Sequence, residues 1–199
     1  MEVKLEKRYP LDVDAVRAWQ VLRDVKTTAG CMPGAEITEQ IDATHYKGSV
    51  KVKVGPANAA FGGDIEVKAL DEATRTLQLL GKGSERGGST ASMDLTATVE
   101  AGETPTSSVL VGNAAVIVNG KFAQFGGRMM VQVSDMLLAQ FADNFRAAAA
   151  ALPAPEGAPA AAATAAAAPA APRKNEINAL AILWGLIKGW LAGLFGKRA

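Results

Sequence analysis

Cysteine and histidine are almost missing from this chain: Cys31 and His45 are the sole representatives of each. A lone cysteine excludes an intrachain disulfide and fits a reducing compartment. Structural zinc draws four Cys or His ligands, so no metal site is expected on these two. A strong charge of either sign is missing too, with 21 Lys and Arg against 20 Asp and Glu. The balance hides an asymmetry: 16 against 18 in residues 1–151, and 5 against 2 in residues 152–199. A slightly acidic body without a basic stripe offers little to a phosphate backbone, so nucleic acid is not an expected partner. The opening MEVKLEKRYP has no apolar core of a secretory leader, so the body is expected in the cytoplasm.

Catalytic groupings are scarce as well. Nothing in the spacing brings Cys31 and His45 together as nucleophile and base, and a buried, inert thiol is the plainer reading. GKGSERGG (81–88) has Arg86 where a third phosphate-loop glycine would stand, and no helix follows it. FGGR (125–128) offers glycines at a helix start, an anion seat or simply a packing feature. Asp12, Asp14 and Asp24 read as caps and turn residues, with Asp12 the cap candidate for a helix carrying Val13, Val16, Trp19 and Leu22. No catalytic residue is expected.

What the chain does have is a run of strands. Residues 2–9 alternate, with Val3 and Leu5 on one face. A short helix is expected over Val25 to Gly30, ended by Pro33-Gly34. HYKGSVKVKVG (45–55) sets Tyr46, Gly48, Val50, Val52 and Val54 against a lysine-rich face. FGGDIEVKAL (61–70) sets Phe61, Ile65, Val67 and Ala69 against Asp64, Glu66 and Lys68. Facing rows of opposite charge suit neighbouring antiparallel strands with one wet face. RTLQLLGKG, STASMDLTATVE and TSSVLVGNAAVIVNG supply three more; Met93, Leu95, Ala97 and Val99 share a face in the second, and both faces of the third are apolar. Residues 122–150 read as one long helix, with Phe122, Met129, Val133, Met136, Leu137 and Phe141 near helical spacing. This is an α+β layout, a single antiparallel sheet against a long helix.

Small residues on the inner sheet face (Gly48, Gly63, Ala69, Ala91, Ala97) leave room that a full core would fill. Adaptable methionines face them. Core packing and an apolar ligand cavity are both open readings. The cavity, if built, is expected from Tyr46, Val50, Phe61, Ile65, Met93 and Leu95 on the strands and Phe122, Met129, Val133 and Met136 on the helix.

Residues 152–172 are an Ala/Pro-rich linker, and residues 173–199 an apolar C-terminal helix. Gly185, Gly189 and Gly193 recur every fourth residue, the small-residue stripe of close helix packing in lipid and a route to self-association. Leu180, Leu183, Ile187, Leu191, Leu194 and Phe195 supply the apolar surface, and Trp184 and Trp190 are interfacial anchors. Nineteen helical residues reach ~28 Å, just enough for a hydrocarbon core. Lys188 near the middle costs about 2.5 to 3.5 kcal/mol, which nearly cancels the apolar gain. Spanning the membrane and lying in its interface both remain open, as do an oligomerising zipper and a helix docked on its own domain. The linker favours the membrane, since a domain rarely needs ~20 residues to reach itself.

Several segments resemble one family. LRDV (22–25), GCMPGAE (30–36), YKGSVKVKVGP (46–56), the F-GG of 61–63 and NGKFAQFGGRMM (119–130) are similar to CoxG, the accessory component of carbon monoxide dehydrogenase, a START-like (SRPBCC) helix-grip family. The resemblance covers residues 1–150. It implies a curved antiparallel sheet wrapped around a long C-terminal helix with an internal apolar cavity. It further implies a non-catalytic accessory that recruits a molybdenum hydroxylase of the CO dehydrogenase type to the inner face of the cell membrane. An isoprenoid quinone is the implied cargo, with no covalent cofactor. The alternatives are a START-like enzyme of the cyclase or aromatase type acting on a hydrophobic substrate, and a tail-anchored scaffold without ligand.

Overall fold

A computed structural model describes residues 1–54 and 57–154. The linker and tail assignments from residue 155 onward, including every predicted membrane and glycine-stripe residue, lie outside the described residues.

The chain builds β1 (Glu2–Leu11), α1 (Ala15–Arg23), α2 (Val25–Cys31), β2 (Ala35–Gln40), β3 (His45–Val54) and β4 (Ala57–Asp71). It continues with β5 (Thr76–Ser84), β6 (Thr90–Ala101), β7 (Ser108–Asn119), a 3-10 turn (Lys121–Phe125) and α3 (Gly126–Ala151). The seven strands form one antiparallel sheet in the order β1-β7-β6-β5-β4-β3-β2. This is the expected α+β helix-grip architecture, with α3 lying on one face of the sheet.

Local chemistry explains the joints. The cap of α1 is Asp14, not Asp12: its carboxylate accepts from the amides of Val16 and Arg17 at 3.1 and 3.0 Å and pairs with the Arg17 guanidinium at 2.6 Å. Only the residue directly before the first turn can reach those free amides. Asp24 closes α1 and caps α2 through the amides of Lys26 and Thr27, which lets two helices follow without a loop. Gly34 turns the chain with φ +76°, and a side chain there would run into the Lys51 carbonyl of β3.

Three expectations need correction. β2, AEITEQ, is a strand that the sequence pattern does not mark; it is an edge strand with Ile37 as its single large apolar residue, so period-two patterning has little to show. A bulge between Val67 and Ala69 turns Ala69 to the outer face opposite Gln78, so it is not an inner-face residue. The long helix begins later than expected: Phe122 lies in the 3-10 turn, and Gly126 at φ +78° separates that turn from α3. FGGR is therefore a break between helices, and GKGSERGG is the β5–β6 hairpin connection.

The outer face of the sheet carries charge pairs in register, Lys68 with Asp94 at 3.1 Å and Arg8 with Glu100 at 2.5 Å. The core sits on the inner face. Leu11, Val13, Trp19, Leu22, Leu77, Leu79, Val99 and Leu110 close around Phe145 and Ala149 of α3.

Candidate ligand site

The inner face is not filled evenly. One buried cluster gathers around Phe145. A second, smaller one gathers around Phe122, Ala59 and Val118 at the other end of α3. Between them the strands are nearly bare. Cross-strand pairing lines up Gly48, Gly63, Gly83 and Ala91 in one row, and places Gly81 beside Ile65 and Met93 in the next.

Two of these glycines are demanded by close approach. A Cβ on Gly63 would strike the carbonyl of Lys82 and stand 2.6 Å from the Gly83 Cα, so β4 and β5 bend together there in a way no other residue allows. A Cβ on Gly48 would meet the Glu36 carbonyl at 3.0 Å and the Ile65 Cδ1 at 3.2 Å. Others border open space. Around Gly81 only the Met93 Cε comes within reach, at 3.9 Å, and around Gly112 of β7 nothing lies within 4 Å. The glycines thus curl the sheet and leave a floor without side chains.

The roof is the first half of α3. Its fully buried residues, Ala142, Phe145 and Ala149, all lie in the second half. Counting back along that stripe at 3.6 residues per turn reaches Leu138, Ser134 and Val131, which are only half-buried. A helix that is packed at one end and half-exposed on its sheet-facing side at the other covers the floor without filling it.

The structure brings most of the predicted ligand residues to this face. Ile65 and Leu95 pack on the Phe145 cluster, and Phe61, Met129 and Val133 on the Phe122 cluster. Phe122 is fully buried, with its ring 5.7 Å from that of Phe61. Val50 and Met93 are half-buried on the strands between. Tyr46 is buried, but its hydroxyl donates to the Ala43 carbonyl at 3.2 Å, which ties it to the β2–β3 turn. Met136 is not with the others: it is 55% exposed. It lies nine residues from Phe145, about half a turn away around the helix, so it points away from the sheet.

Strand parity also places two residues that sequence reasoning passes over. Val3 and Leu5 face inward, and so do Lys7 and Tyr9, opposite Gly112 and Leu110 of β7. The alternation is visible in the sequence, but nothing in it gives reason to expect a lysine on an inner face. Lys7 Nζ meets the Asp135 carboxylate of α3 at 2.9 Å. The hydrogen bond to Asp135 raises the Lys7 pKa, and burial pushes that of Tyr9 up.

The remaining candidates stay apart. Cys31 is buried, donates to the Thr27 carbonyl at 3.3 Å, and burial pushes its thiol pKa up, the opposite of an activated nucleophile. His45 is exposed and held by Asp42 at 2.9 Å. No group of three potential metal ligands forms among the described residues. Among the described residues, no helix is long and apolar enough to cross a membrane. A shallow depression of about 370 Å³ lies near Asp64, Lys82, Ser92 and Asn119. These side chains belong to the outer face, and the depression is polar, so it is distinct from the bare floor described above.

The sequence profile of CoxG, the accessory component of carbon monoxide dehydrogenase, matches residues 11–150. The chain belongs to the CoxG family. No functionally curated protein matches it. Its fold is similar to that of a conserved protein from Geobacillus kaustophilus, with a TM-score of 0.67 at 19% identity over 74% of this chain and 95% of that one. It is also similar to the Zhui aromatase/cyclase of a Streptomyces species, with a TM-score of 0.56 at 15% identity over 75% and 94% of the two chains. A norcoclaurine synthase variant from Thalictrum flavum gives 0.53 at 14% identity over 75% and 95%. At these identities the likeness establishes the START-like helix-grip fold. The CoxG-matched segment contains the glycine floor, the Phe122 and Phe145 clusters and α3 up to Ala150.

Proposed function

We propose that this chain is a non-catalytic carrier. Its grip domain holds an apolar small molecule of the isoprenoid quinone class between sheet and α3. It docks on a molybdenum hydroxylase of the CO dehydrogenase type, and its segment 173–199 keeps it at the inner face of the cell membrane. The observation that carries the reading is the side-chain-free floor of Gly48, Gly63, Gly81, Gly83 and Gly112 beneath a half-buried stretch of α3, in a chain of the CoxG family. A compact domain fills its interior to crystal-like density unless something else is to occupy it. Capture and release then need no catalytic group. A tether of ~20 residues would make docking a local event at raised effective concentration.

Protein purified from its native membrane and extracted with organic solvent is expected to yield a quinone or similar lipid by mass spectrometry. Repeatedly empty extracts would remove the cargo and leave a tail-anchored scaffold. Truncation after Pro172 is expected to give a folded body that no longer sediments with membranes; a truncated body that still sediments would take anchoring away from the tail. Gly189→Leu is expected to weaken self-association while membrane binding survives.

A second reading, an enzyme on a hydrophobic substrate, is favoured by one observation: Lys7, Tyr9 and Asp135 bring titratable groups to the inner face. Tyr46, with its hydroxyl bonded to Ala43, is a poorer acid. Turnover abolished by Lys7→Met with ligand binding retained would favour the enzyme.

A further inference from the structure

The inner face is apolar except at β1. Lys7 and Tyr9 stand there in successive inward positions, and Asp135 reaches down from α3 to Lys7. A lysine and a tyrosine on the core side of an edge strand are costly unless their donors are used. The Lys7 ammonium has three donors. One goes to Asp135, and no other acceptor meets it among the described residues. The Tyr9 hydroxyl has no hydrogen-bond partner among the described residues, although its ring packs against the Phe145 cluster. Directly across from Lys7 is Gly112, with open space above it. Beyond Gly112 lies Ala97, buried in the same cluster. Spare donors thus border a side-chain-free stretch of floor.

We propose that Lys7 and Tyr9 form the polar anchor of the ligand site and receive a neutral carbonyl oxygen on an otherwise apolar ligand, with Asp135 as the positioning residue for Lys7. The chemistry selects that class. Lys7 and Asp135 together carry no net charge, so a carboxylate headgroup arriving there would meet Asp135 as well as Lys7. A carbonyl accepts from both donors without adding charge. An alkyl or aryl ligand with no oxygen would leave the anchor idle. The proposal rests on the carrier reading and specifies its ligand; the anchor would grip the ring end, and the apolar remainder would lie along the glycine floor.

The test uses delipidated full-length protein in equilibrium dialysis with three probes: decylubiquinone, decylbenzene and decanoate. Decylubiquinone is expected to bind more tightly than decanoate. Lys7→Met is expected to weaken decylubiquinone binding on the order of tenfold, and Tyr9→Phe about fivefold, as befits loss of one charged and one neutral donor. Decylbenzene binding is expected to stay within about twofold in both variants, since it makes neither bond. Tyr9→Phe keeps the ring in the core, so a folded variant remains even if Lys7→Met unfolds; circular dichroism and Tm check both. Decylubiquinone affinity unchanged in Tyr9→Phe and Lys7→Met, or tighter binding of decanoate to the unaltered protein, would overturn the anchor. Uptake of neither decylubiquinone nor decylbenzene by the unaltered protein would overturn the carrier reading and the anchor with it. Retained decylbenzene uptake with indifferent variants overturns the anchor alone.

Discussion

The two halves of α3 lie over the same sheet in different company. From Ala142 to Ala149 the helix meets Leu77, Leu79, Val99, Leu110 and Trp19, and its inward side chains are fully buried. From Val131 to Leu138 the same stripe is half-buried, because the strands beneath it offer Gly48, Gly63, Gly81, Gly83 and Gly112. The difference lies in the floor more than in the helix. Apolar residues are present along both halves of α3, but the sheet withholds its side chains under one of them. One end of the grip domain is therefore built for stability and the other for access, a division that suits a carrier.

Mutations at the two ends are expected to separate widely. Phe145→Ala removes a ring with no exposed surface and is expected to cost about 3–5 kcal/mol in urea denaturation. Met136→Ala, on the exposed side, is expected to change stability by less than about 0.5 kcal/mol. Equal costs would erase the asymmetry.

Glycines of the floor sharpen the contrast. Gly63→Ala forces a methyl into the β5 backbone and is expected to cost about 1–3 kcal/mol. Gly112→Ala enters open space and is expected to be neutral or to stabilise by about 0.4–1 kcal/mol, while Gly112→Leu should reduce ligand uptake without unfolding the domain. A large loss on Gly112→Ala would mean that the open end is packed after all.

A smaller effect probes the closed end from its helix cap. Asp14→Ala frees two amides and the Arg17 guanidinium and is expected to cost about 1 kcal/mol in the same denaturation experiment.

The smallest lies beside the open end, in the turn that holds Tyr46. The amide of Thr44, together with the His45 ring and amide, pulls the Asp42 carboxyl down to about 2. Its pKa is depressed in the folded chain, so its contribution is present above the unfolded value of ~3.9 and is lost as pH falls through about 2. An NMR titration is expected to find the Asp42 carboxyl titrating near 2; a midpoint near 4 would show that the turn leaves it unheld.

Much of this is legible in the chain itself. Alternation in β3, β4 and β6 sets which residues face inward, and the glycines at Gly48 and Gly63 mark missing side chains before any strand is placed. β2 is illegible because an edge strand with one large apolar residue carries almost no periodic signal. Plain alternation misplaces Ala69 because a bulge shifts parity by one and leaves no trace in composition. On α3 the methionine spacing points to one stripe as the inner one. The stripe of Ala142, Phe145 and Ala149 faces the sheet instead, and small alanines carry little hydrophobic signal. Lys7 and Tyr9 are readable from the parity of Val3 and Leu5, but charge argues against following it inward.

The sequence alone determined the class of fold, the alternation of each long strand, and the scarcity of groups for a nucleophile or metal set. Those depend on residue type and spacing, which are local. Only the tertiary structure decided where the sheet bends, which side of α3 meets it, and that a lysine from the first strand meets an aspartate of the last helix at 2.9 Å. Those depend on contacts between residues far apart in the chain, and periodicity within one segment carries no information about its partner.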